Sequence, residues 1–144
     1  MRYEKIDAVM HKVELLDLPT FEDAERACGL VPGHVDHGPL WRAGMRQLAI
    51  VVDEFGLFAP PINQHFFAIG RQLYAGNALI YAYGEYGETV DLDPAAEVIP
   101  RFFASAYDAD TAIRLGELER PRCADGRGGT WEWPQQPPPD KGKI

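Results

Sequence analysis

The chain has 144 residues, 46% of them apolar and 11% aromatic, enough for one domain with a real hydrophobic core and too apolar for a wholly disordered chain. The net charge is −8. Residues 120–144 carry five basic and three acidic side chains, while residues 1–119 carry nine basic and nineteen acidic ones and hold −10. An acidic body of this kind does not bind a phosphate backbone by counterion release. It suits solubility, or a basic partner.

No apolar segment follows the charged opening residues, and no run reaches the ~20 apolar residues of a membrane span. The expectation is a cytoplasmic protein with no membrane contact. Cys28 and Cys123 are the only cysteines and are read as free thiols.

In chain order, "HKVELLDL" (11–18) predicts a strand with Val13, Leu15 and Leu18 inward. "PTFEDAERACGL" predicts a short helix capped by Thr20 and ended by Gly29. Glu22 and Asp23 suit its positive end, and Phe21, Ala24 and Cys28 share its buried face. "LVPGHVDHGPLW" (30–41) reads as an edge strand or loop, because Pro32 and Pro39 cannot donate to a ladder. The apolar run 48–52 in "QLAIVVDEFGLF" predicts a central strand covered on both faces, turning at Gly56.

"PPINQHFFAIGRQLYAG" predicts a helix with Asn63 as N-cap and Gly76 past its end. "NALIYAYG" (77–84) predicts the next strand, and "EYGETVDL" a turn with a short continuation. Asp93–Pro94 marks another helix start, broken near Pro100. "RFFASAY" is read as its resumption, and "DADTAIRLGELE" as one more short helix.

The fold class expected is α/β or α+β. It is a single domain over 1–119, with a mixed sheet of four to five strands in the order β-α-β-β-α-β, followed by short helices. Residues 120–144 are Pro/Gly-rich and predict an irregular tail, with Trp131 and Trp133 docked because two indoles are not left in water.

His34 and His37 flank Asp36 in "HVDH" and are candidate metal ligands, with His65 or Cys28 to complete the set. An odd spacing on a strand points the two imidazoles to opposite faces, so polar loop residues are the plainer reading. No cofactor is expected. Asp53 and Glu54 offer carboxylates for acid–base work, but sequence neighbours at a strand end splay apart, and a hydrated hairpin corner fits them better. Asn63 caps the expected helix and marks its anion-attracting end, with His65 and Arg71 following. Tyr81 and Tyr83 share a strand face that could stack a base, with Tyr86 nearby. The only serine, Ser105, lies in no nucleophile elbow.

The segment "VVDEFGLF…INQHFFAIGRQLYAGNALIYAYG" resembles a family of small phage- and plasmid-encoded domains of unknown function. Val52, Asp53, Glu54, Gly56, Asn63, Gly76 and Asn77 carry the resemblance, over about residues 12–92. It implies a mobile-element accessory gene and supplies no activity to carry over.

From that setting comes the expectation of a non-catalytic counter-defence protein, a homodimer that binds a small nucleotide-like ligand or a host protein. Asp53, Glu54, Asn63, His65, Arg71, Tyr81, Tyr83 and Tyr86 are its candidate binding residues. Two alternatives stay open. One is an acidic decoy that inhibits a nucleic-acid-binding host protein. The other is a small metal- or acid/base-assisted enzyme using His34, His37, His65 and Asp53.

Overall fold

The structure is a computed structural model and describes residues 1–40, 45, 47–53 and 65–119. Nine strands and two helices are described. The strands are β1 (Arg2–Asp7), β2 (Lys12–Asp17), β3 (Val35–Pro39), β4 (Leu48–Asp53), β5 (His65–Ile69), β6 (Gln72–Ala75), β7 (Ala78–Tyr83), β8 (Thr89–Val90) and β9 (Phe102–Ser105). The helices are α1 (Phe21–Ala27) and α2 (Ala106–Arg114), with a 3-10 turn at Pro94–Ala96.

The larger sheet has the order β2-β1-β7-β4-β3, with β8 also on β7; the smaller has the order β6-β5-β9. Every described pairing is antiparallel. The class is therefore α+β, within the expectation, although the inventory of elements differs from it.

Period-2 alternation sorts the side chains into layers. One face of the large sheet gives Ile6, Ile50, Ile80 and Leu48 to a core shared with Phe67, Ile69 and Tyr74 of the small sheet. Its other face packs Tyr3, Val51 and Leu79 against Ala24, Cys28 and Leu30 on and after α1. The far face of the small sheet packs Phe66, Ala68 and Leu73 against Ala109 and Ala112 of α2. The layers run α1, large sheet, small sheet, α2. Burying a side chain such as Phe67 completely contributes about 1.5–3 kcal/mol.

Local signals in the first half hold. Thr20 Oγ1 accepts from the Asp23 amide at 3.1 Å and starts α1, and Gly29 follows it at φ +77°. The run Leu48–Val52 is buried throughout, between β7 and β3. β3 stands at the sheet's end, as the prolines predict.

Four expectations are corrected. The helix read into 63–76 is, over its described part, the β5–β6 hairpin, turning at Gly70 and Arg71 between the paired Ile69 and Gln72. Gly70 takes φ +59°, which a two-residue turn with glycine first requires. Phe66 and Phe67 are both fully buried because the small sheet is covered on its two faces, so the run has no polar face to reveal its period. Asp93 does cap a start, accepting from the Ala95 amide at 3.0 Å, but only the 3-10 turn follows. "FFAS" is strand β9, and Ser105 caps α2 by accepting from the Asp108 amide at 3.3 Å. On β2, Leu15 is exposed while Leu16 and Leu18 pack against the α1 layer, because the register places Leu15 opposite Glu4 at the sheet margin.

β1 was not anticipated. It inserts between β2 and β7, opposite Ala78, Leu79 and Ile80. β8 pairs the neighbouring stretch of β7, opposite Ala82 and Tyr83. The edge of β7 that β8 would continue along is thus already occupied by β1, and the chain leaves the sheet plane after Val90. Residues 91–101 become a strap that crosses to the small sheet, where the Arg101 amide donates to Ala68 O at 2.6 Å.

Glu54, Gly56, Asn63, Cys123 and the 120–144 tail with Trp131 and Trp133 lie outside the described residues.

Candidate functional site

Three rings from three elements meet on the α1 side of the large sheet. Phe21 opens α1, His37 sits on β3 and Tyr81 on β7. In the ladder His37 is opposite Val51, and Tyr81 is opposite Ala49, so both project from the same face across β4. The small side chain of Ala49 leaves room between them.

Phe21 lies nearly parallel to His37, with centroids 5.8 Å apart at 15°. It meets Tyr81 edge-on at 5.1 Å and 89°, and Tyr3 at 6.0 Å and 74°. The Tyr81 hydroxyl and His37 Nδ1 are hydrogen-bonded at 3.2 Å. The cluster is open to solvent: His37 is exposed, and Phe21 and Tyr81 are partly buried.

Its electrostatics favour neutral rings within an acidic field. Partial burial lowers the His37 pKa, against the pull of Asp36. Burial raises the Tyr81 pKa, and Tyr83 beside it adds to the rise. Burial also raises that of Tyr3, with the charges of Asp91 and Asp23 in the same direction. Aromatic faces within a negative field attract cations more than phosphates.

The other candidates do not gather here. Asp53 is exposed at the end of β4, opposite Val35, whereas Leu48 at the other end faces Ala82. Five strand residues, about 17 Å, therefore separate Asp53 from the Tyr83 end of β7. The single surface expected around Asp53 and Tyr81–Tyr86 is split between opposite ends of the sheet. His65 begins β5 opposite Ser105, on the small sheet. Arg71 is at the far tip of that hairpin, where its Nη2 donates to Gly116 O at 3.1 Å. Tyr86 is 91% exposed in the β7–β8 turn. His34 precedes β3, its amide donating to Val31 O at 2.9 Å, and only His37 joins the rings. Among the described residues no three His, Cys, Asp or Glu side chains are placed to hold a metal ion. No described helix is long and apolar enough to cross a membrane.

Asn77 and Gly76 belong to the architecture. Asn77 Oδ1 accepts from the Ala8 amide at 2.9 Å, and its Nδ2 donates to Cys28 O at 3.4 Å. That side chain joins the β1–β2 turn, the end of α1 and the start of β7.

Phe21 and Tyr3 are the members that sequence reading missed. Phe21 does pack against the Ala24–Cys28 core, as its helical face predicts, and its position one residue after the N-cap is the signal that it also lies at the helix's open end. No family model matches the chain, and no curated protein or solved structure is significantly similar to it.

Proposed function

We propose that the chain is a non-catalytic binding protein of mobile-element type that blocks a basic host protein. The Phe21–His37–Tyr81 face would take an arginine side chain of that partner. One observation carries this reading: a solvent-open cluster of three rings, one exposed and two partly buried, with a hydroxyl and a neutral imidazole at its rim, lies in the field of Asp23 and Asp36. A guanidinium stacks on aromatic faces and donates in a plane, so it uses the rings, the rim and the field together. The −10 body supplies long-range attraction to a basic surface.

The test is a titration with an arginine-rich peptide, a lysine peptide of equal charge, and a panel of mono- and cyclic dinucleotides. The reading expects the arginine peptide to bind best, to weaken with salt, and to lose about tenfold or more in Tyr81→Ala. Tyr86→Ser, outside the cluster, should leave it unchanged. Equal binding of both peptides by wild type and Tyr81→Ala would overturn it.

The second reading is a small nucleotide-like ligand, favoured by the Tyr81–His37 pair as base-edge partners beside a stacking ring. Binding of a nucleotide in preference to the peptides would select it. Homodimerisation is part of either proposal, and light scattering of the purified chain measures it.

A further inference from the structure

We propose that Glu4 is a latch that holds the 91–101 strap across the sandwich, and that ionisation of its carboxyl under alkaline conditions releases the strap. Glu4 lies in the middle of β1 on the core-facing side and is fully buried. Its Oε1 accepts a 2.6 Å hydrogen bond from the Val98 amide. Its Oε2 has no hydrogen-bond partner among the described residues.

The strap's other holds lie toward its two ends. Leu92 is fixed on both sides, its amide donating to Arg2 O at 3.2 Å and its carbonyl accepting from Arg2 Nε at 2.8 Å. Arg101 is fixed at the far end by Ala68. Between them the Val98 amide meets the Glu4 carboxyl, and the buried Val98 side chain enters the main core.

A protonated carboxyl accepts the Val98 bond at little cost. A carboxylate in the same place is a buried charge with one oxygen unsolvated, which water entry must relieve. β1 is paired on both sides by β2 and β7, so the strap is the part free to move.

The charged groups around Glu4 give no compensation. On β1, Arg2 shares its face and spends its Nε on Leu92 O. On β2, Leu15 stands opposite Glu4, and Asp17, opposite Arg2, holds the Met1 amino group at 3.1 Å. On β7 the opposite residue is Ile80. From the strap, Glu97 adds a repelling charge, and Asp91 is engaged by the Arg2 amide. Desolvation, with this repulsion adding to it, outweighs the Val98 hydrogen bond, which favours the carboxylate, and raises the Glu4 pKa to about 8; release by water entry to the buried charge would follow a modest rise above neutral pH.

Hydrogen exchange of the Val98 amide, taken relative to its intrinsic rate, tests the latch. In the wild type its protection should fall at least about tenfold between about pH 7 and about pH 9. In Glu4→Gln, whose amide oxygen keeps the acceptor and cannot ionise, it should stay constant. Constant protection in the wild type, or the same fall in Glu4→Gln, overturns the proposal. Should Glu4→Gln not fold, a carbon-13 titration of the wild-type Glu4 carboxyl decides instead. A midpoint above about pH 6.5 supports the latch and one below it overturns it.

Discussion

The Glu4 carboxyl is fully buried and accepts the Val98 amide at 2.6 Å, joining the second strand position beyond Arg2 to a strap more than ninety residues later. Burial of this carboxyl, which outweighs the opposing effect of the Val98 bond, makes folding stability depend on pH with a definite sign. The folded-state pKa, about 8, lies above the ordinary 4.5. Between those values the folded protein holds a proton that the unfolded chain has released. The Glu4 contribution is therefore fully present below about pH 4.5, is lost as the pH rises through about 8, and is constant beyond. The loss is on the order of 2–5 kcal/mol. Urea unfolding of wild type and Glu4→Gln across this range should give curves that agree at the acid end and diverge upward in pH, with Glu4→Gln the more stable at about pH 8. Parallel curves would contradict the assignment.

Gly70 gives a sign test of the β5–β6 hairpin. In a helix, Gly70→Ala would stabilise by about 1 kcal/mol. At φ +59°, in the first position of the hairpin turn, alanine must adopt a left-handed conformation at a cost of about 1–2 kcal/mol. Denaturant titration should show Gly70→Ala less stable than wild type. A gain would restore the helical reading of this segment.

That segment shows why some of the fold was readable and some was not. Leu48–Val52 declared itself, because a short β-branched run bounded by polar residues has one economical explanation, a central strand. Thr20 did so too, because a cap is a local interaction. "HFFAIGRQLYA" was ambiguous in principle: Phe66 faces α2 and Phe67 faces the large sheet, so neither period stands out. "RYEKID" was hidden by charge on both faces, with Lys5 paired to Glu14 on the outer side and Glu4 buried on the inner. At the site, Tyr81 and His37 could each be nominated. Their meeting with Phe21 depends on where α1 lies on the sheet, which no local pattern encodes.

Asn77→Ala should cost about 1–3 kcal/mol with little change in the denaturant slope. It leaves the Ala8 amide and the Cys28 carbonyl without their partner in a partly buried corner. Asn77→Asp keeps the acceptor for Ala8 but removes the donor to Cys28 and places a carboxylate oxygen against that carbonyl. It should be at least as destabilising as alanine. Equilibrium urea unfolding of both variants checks the order, and a neutral Asn77→Asp would show that only the Ala8 bond matters.

Cys28 supplies a probe of the α1 layer. The thiol is 1% exposed, packed among Tyr3, Ala24 and Leu79, and burial pushes its pKa up to about 12. The thiolate is the reactive form, so at neutral pH the folded chain offers alkylating agents neither access nor nucleophile. In a Cys123→Ser background, which leaves Cys28 as the only thiol, iodoacetamide labelling should be at least about a thousandfold slower than in urea-unfolded protein. Its rate should track global unfolding as urea is raised. If labelling is instead fast and insensitive to urea below the unfolding transition, α1 opens locally. Because α1 carries Phe21, the ring face would then be assembled only part of the time. The Tyr81-dependent binding of an arginine peptide should weaken in proportion to that open fraction.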